Sequence, residues 1–167
     1  MLIAVMSDSH DHIWNLRRAL EKIKLNQAQM IIHCGDFVAP FMLKELETFA
    51  IPVHGVFGNN DGDQFLLTQL SYELKHIKLH GITGELDIHG YKIGFAHERV
   101  KAQGLLYQHD FHLVCYGHSH QYEQVQIDPN TILLNPGEIM GKDGPAGFCM
   151  VDTQTKTCER VLLDSKL

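Results

Sequence analysis

The chain has 167 residues, of which 44% are apolar and 20% charged, with 12 histidines and a net charge of −6. The length suits one domain spanning residues 1–167. The acidic balance, without any run of Lys and Arg, argues against extended nucleic acid as a partner, and the apolar runs fall far short of the ~20 residues that cross a bilayer, so no membrane is expected.

Leu2–Met6 is a short apolar run with no basic residue before it, which reads as a buried first strand rather than a signal peptide. Ile13, Leu16, Leu20 and Ile23 recur at helical spacing, so a helix is predicted over roughly His12–Leu25. Met30–His33 follows as a strand. Pro40 then opens a second helix along Phe41–Phe49, with proline at the first turn, and Phe37 and Phe41 are expected in the core. Pro52–Phe57 is a third strand, and Gln64–Leu70 a short helix. Beyond residue 75 the pattern turns β-rich. Strands are predicted at Ile77–Leu79, Glu85–Ile88 and Lys92–Ala96, the last two joined by a hairpin at Gly90. A helix over Val100–His109 and a strand over Leu113–Tyr116 come next. Short strands follow at Tyr122–Ile127, Thr131–Leu134, Gly147–Val151 and Glu159–Leu163, with a turn at Asp128-Pro129-Asn130. Alternation of strand and helix followed by a β-rich half predicts an α/β sandwich of two sheets flanked by helices.

The four cysteines, Cys34, Cys115, Cys149 and Cys158, form no C-x-x-C pair. They read as reduced thiols of a cytoplasmic protein.

Polar clusters follow five of the strands: Ser7-Asp8-Ser9-His10, Gly35-Asp36, Gly58-Asn59-Asn60-Asp61, His97-Glu98 and Gly117-His118-Ser119-His120. Ligands of open α/β sheets bind outside the carboxyl ends of strands, so five such ends point to one site. Asp8, His10, Asp36, Asn59, His97, His118 and His120 offer mixed oxygen and nitrogen donors, which suit borderline divalent ions. Seven donors exceed one tetrahedral zinc and match two ions sharing a carboxylate. In extended chain, residues i and i+2 point the same way, which is the reading given to Asp8-x-His10 and His118-x-His120. Asp61 is expected either to orient a ligand histidine or to close its turn, and His33 to be a core residue or a neighbour of the ligands. Glu98 reads as a solvated side chain.

The order D-x-H, G-D, G-N-x-D, H, G-H-x-H resembles the calcineurin-like metallophosphoesterase superfamily, and within it the small YfcE-type phosphodiesterases. The motifs run from Asp8 to His120, about two thirds of the chain. The resemblance implies a four-layer αββα sandwich with two mixed β-sheets. It implies that Asp8, His10 and His120 hold one ion, that Asn59, His97 and His118 hold the other, and that Asp36 bridges them. Asp36, Asn59 and His97 are the catalytic candidates. It further implies two divalent metal ions per chain, Mn first and Ni, Co, Fe or Zn after it, and a small phosphate-ester substrate, above all a phosphodiester. The expected nucleophile is a hydroxide held between the ions.

Two positions depart from that pattern. Many relatives carry histidine where this chain has Asn60, and an amide supplies no proton near neutral pH. Relatives often read Asn-Pro-Gly-Ser and then a Pro-Arg pair, where this chain reads Asn135-Pro136-Gly137-Glu138 and then Lys142-Asp143-Gly144-Pro145. The alternative function is a catalytically weak scaffold of the same fold for protein–protein interaction; the filled ligand set favours an enzyme. A homo-oligomer remains open on sequence alone.

Overall fold

The computed structural model describes residues 1–107 and 110–163. Among these, eleven strands and four helices alternate as β1 (Leu2–Met6), α1 (Ile13–Leu25), β2 (Met30–His33), α2 (Phe41–Glu47), β3 (Val53–Gly55), α3 (Gln64–Glu73), β4 (Ile77–Leu79), β5 (Thr83–Ile88), β6 (Tyr91–Ala96), α4 (Arg99–Leu106), β7 (Leu113–Cys115), β8 (Tyr122–Asp128), β9 (Thr131–Pro136), β10 (Gly147–Asp152) and β11 (Thr157–Leu162). Every predicted element is present, with ends shifted by a few residues. The predicted end of the fourth helix falls on Gln108 and His109, outside the described residues.

The strands form two mixed sheets, β11-β10-β1-β2-β3-β4 and β5-β6-β7-β9-β8. Strand periodicity explains the layering. In β1, Ala4 and Met6 face α1–α3, whereas Ile3 and Val5 face the second sheet. In β7 and β9, Leu113, Cys115, Ile132 and Leu134 fill the space between the sheets. Val114 and Leu133 pack instead beneath α4 with Ala102 and Leu105. Alternate residues on one strand thus enter different apolar layers, which gives helices, sheet, sheet, helix. Both faces of the central strands are covered, so they read as unbroken apolar runs. Phe37 is fully buried, but Phe41 is 44% exposed, because it starts α2 on the outer side. Cys34, Cys115 and Cys149 are buried free thiols.

Register brings the strand ends together. Met6 pairs with His33 and His33 with Gly55, so the chain leaves β1, β2 and β3 at one edge. In the second sheet Phe95 pairs with Cys115 and Cys115 with Leu134, which aligns the ends of β6, β7 and β9. The loops carrying Asp8, Asp36, Asn59, His97, His118 and His120 follow these ends.

Candidate metal centre

Backbone hydrogen bonds lock the loops to one another. Asp8 N donates to the Gly35 carbonyl at 3.1 Å, His10 N to that of Asp36 at 3.1 Å, and Gly117 N to that of His97 at 2.9 Å. Asp8, His10, Asp36, His118 and His120 all have left-handed backbone, with φ between 39° and 67°. The extended-chain explanation of the two i, i+2 pairs is therefore corrected. These side chains converge because their backbone turns at each donor, not because it runs straight.

Two groups of donors meet at Asp36. On one side, His10 Nε2 lies 3.2 Å from His120 Nε2, and the two lie 3.6 and 3.4 Å from Asp8 Oδ1. On the other, Asn59 Oδ1 lies 2.9 Å from His97 Nε2 and 2.8 Å from His118 Nδ1. Asp36 Oδ2 is 3.3 Å from His10 Nε2 and 3.4 Å from His97 Nε2. All seven residues predicted from sequence are thus brought together.

This residue set fits divalent cations. Asp8 Oδ1 is buried and has no hydrogen-bond partner, and a bare buried carboxylate oxygen is costly unless a cation meets it. His97 Nδ1 donates to the Cys34 carbonyl at 2.8 Å, which leaves the Nε2 lone pair facing Asp36 and Asn59. Burial works to raise the Asp36 carboxyl, but the neighbouring His97 ring and the hydrogen bonds from Asn60 outweigh it and hold the group well below the usual carboxylate range. The nearby carboxylates of Asp8 and Asp36 raise His10 against its burial. Burial lowers His97, yet Asp36 wins and the ring is raised overall. The site is therefore built to hold positive charge.

Residues around the donors fix them in place. Asn60 donates through its backbone to Asp36 Oδ1 and through Nδ2 to Oδ2, each at 2.8 Å. Buried Asp61 hydrogen-bonds none of His10, His97, His118 and His120. Its carboxylate accepts the backbone N–H groups of Asp36, Val38 and Gly58 at 3.0, 2.7 and 2.7 Å, pinning two loops together. His33 accepts from Gly35 N at 3.2 Å, faces Ser9 Oγ at 3.1 Å and stacks on Phe37. Burial depresses it to about 3. Glu98 pairs with Lys101 at 2.7 Å, one turn into α4. Sequence reasoning left Glu138 unassigned; it lies fully buried beside His120. Its place in Asn135-Pro136-Gly137-Glu138, where relatives often have serine, was the available signal.

Residues 1–156 match the calcineurin-like phosphoesterase superfamily domain. The phosphodiesterase MJ0936 of Methanocaldococcus jannaschii is 30% identical over 167 residues, covering 98% of this chain and all of that protein. The solved structure of a novel archaeal phosphodiesterase superposes with a TM-score of 0.89 at 29% identity, over 98% of this chain and 100% of the other. YfcE, a phosphoesterase of E. coli, shares the fold, with a TM-score of 0.69, 17% identity and the same coverage.

Proposed function

Because the chain belongs to the calcineurin-like phosphoesterase superfamily, we propose that it is a divalent-metal-dependent phosphodiesterase acting on small phosphodiesters. In this reading Asp8, His10 and His120 hold one ion, Asn59, His97 and His118 hold a second, and Asp36 serves both, with Mn as the working metal. The observation that carries it is the position of Asp36 Oδ2, within 3.4 Å of a histidine nitrogen from each group. When bound there, such cations supply Lewis acidity toward phosphate oxygens and activation of water.

The chain's own residues set the rest of the reaction. Asp8 and Asp36 are buried and keep their carboxylates from turning to solvent. His97 is held by the Cys34 carbonyl and cannot swing away. Asn59, Asn60, His118 and Ser119 form the exposed rim through which an ester approaches. A cavity of about 220 Å³ adjoins His118, lined by Arg99, Tyr116, Tyr122 and Glu123, and gives room for one small substituent. Asn60 spends its N–H groups on Asp36 and has no proton for a leaving oxygen. The enzyme then favours esters whose leaving groups are already acidic. A single domain in the cytoplasm suits this reading.

The test is to strip the protein, count Mn bound per chain, and assay bis(p-nitrophenyl) phosphate with Asp36→Asn as control. Two ions with hydrolysis, both lost in the variant, support the reading. Two ions without turnover on any phosphodiester would replace it with the scaffold.

A further inference from the structure

The segment after β9 carries a buried charge that the reaction above does not use. Glu138 Oε1 accepts the backbone N–H groups of Asp143 and Gly144 at 2.6 and 2.7 Å, folding the loop back on itself. Glu138 Oε2 is buried, has no hydrogen-bond partner and lies 3.2 Å from His120 Nδ1. Asp143 Oδ2 reaches the same nitrogen at 2.9 Å. The loop is also tied to the first donor: Ile139 N and Met140 N donate to the Ser7 and Asp8 carbonyls, each at 3.0 Å. His120 therefore has two carboxylates behind one ring nitrogen and the donors Asp8 and His10 before the other.

A neutral imidazole has one N–H to place. The bond to Asp143 Oδ2 and the buried charge of Glu138 Oε2 beside it draw that N–H to Nδ1 and leave the lone pair on Nε2, the nitrogen that faces Asp8 Oδ1 and His10. Carboxylate backing also makes the ring a stronger donor than a carbonyl does. His97, in the other group, is backed only by the Cys34 carbonyl. The two groups of donors are thus unequal.

We propose that Glu138 and Asp143 are a positioning pair that fixes the tautomer of His120 and makes the Asp8–His10–His120 group the tighter of the two cation sites. This rests on the two-ion reading above, and the experiment separates the two. Long-range 1H–15N spectra of the labelled, metal-free wild type report the His120 tautomer directly, and Nδ1–H is expected. Calorimetric titration of Mn into the wild type is expected to resolve a tighter and a weaker site. Glu138→Gln keeps an oxygen for Asp143 N and Gly144 N but turns an amide donor toward Nδ1. It should weaken the tighter site about 10–100-fold and leave the weaker one within twofold. Asp143→Asn, on a half-exposed side chain, should act in the same direction by less. Should Glu138→Gln fail to fold, Asp143→Asn and the wild-type spectrum decide. An Nε2–H tautomer in the wild type overturns the proposal. So does an unchanged tighter site in the variants while the wild type holds two ions, an outcome that leaves the two-ion reading standing. A wild type that binds no Mn removes both.

Discussion

Gly58 and Gly62 lie four residues apart in one loop, and the structure assigns them opposite tolerances. An alanine methyl at Gly58 would sit 2.6 Å from Asp36 N, 2.7 Å from its Cγ and closer still to Oδ1. Carbon atoms prefer about 3.5–4.0 Å, so the carboxyl carbon must retreat by about 1 Å. That breaks its bonds to Asn60 and moves Oδ2 away from both His10 and His97. A misplacement of about 1 Å in a reactive site costs on the order of 100-fold in rate, and overpacking costs about 1–3 kcal/mol of stability. At about 2–4 °C per kcal/mol for this length, the melting temperature of Gly58→Ala should fall by about 5 °C. At Gly62 no atom lies within 4 Å of the added methyl, and the gain from a stiffer unfolded chain is about 0.4–1 kcal/mol. Its activity should match the wild type. Both variants are assayed on bis(p-nitrophenyl) phosphate at saturating Mn, with melting followed by circular dichroism on the metal-free protein. Near-wild-type activity in Gly58→Ala, or equal damage in Gly62→Ala, would refute the account of how Asp36 is seated.

Three further outcomes are expected. Asn60→His should raise hydrolysis of alkyl phosphodiesters about tenfold or more, since general acids contribute about 10²–10⁴-fold, and should flatten the dependence on leaving-group pKa; an unchanged slope across an aryl and alkyl series counts against the role given to Asn60. The metal-free protein should be most stable near pH 6.5. Below that pH the unfolded chain takes up protons that folded His33 and His80, depressed by burial to about 3 and about 4, refuse, and His33 alone withdraws about 2 kcal/mol between pH 6.5 and 5. Above it, stability falls as His10 and His97, raised in the folded state, lose their protons; urea midpoints that do not move between pH 7 and 5 would contradict this. An aromatic disulfide reagent should titrate at most one thiol quickly in the native protein, the part-exposed Cys158, and four in urea.

The elements were legible because each strand of the central layers is an apolar run closed by a polar cluster, and both signals are local. Pairing was not. Ile77–Leu79 follows α3 in the β-rich half, yet it completes the first sheet, and β10 and β11 return from the chain's far end to lie beside β1. Nothing in the periodicity of Gly147–Asp152 says which edge it will find. The seven donors were legible from residue type and order, but the reason given for their convergence was not right: extended spacing gave way to left-handed turns. Asp61 shows the same limit. Its place after Gly58 suggested either a partner for a histidine or the closure of its own turn; it does close that turn through Gly58 N, whereas its bonds from Asp36 N and Val38 N emerge only when two loops meet. Glu138 could be flagged as a charge where relatives often have serine, but not matched with His120.

The left-handed backbone at Asp8, His10, Asp36, His118 and His120 has a consequence for how this site can be dissected. Asp and His are among the few residues besides glycine that settle into that conformation with modest cost. The residue types that offer a donor atom and those that tolerate the turn therefore coincide at the same positions. Alanine placed there removes a donor and also meets an unwelcome backbone, so an alanine scan mixes two losses in one number. At Asp8 and Asp36 asparagine keeps the turn while removing the charge, at the three histidines it keeps the turn while removing the ring, and glycine keeps it while removing the side chain altogether. Comparing the two at each position separates what the chain holds from how the chain bends.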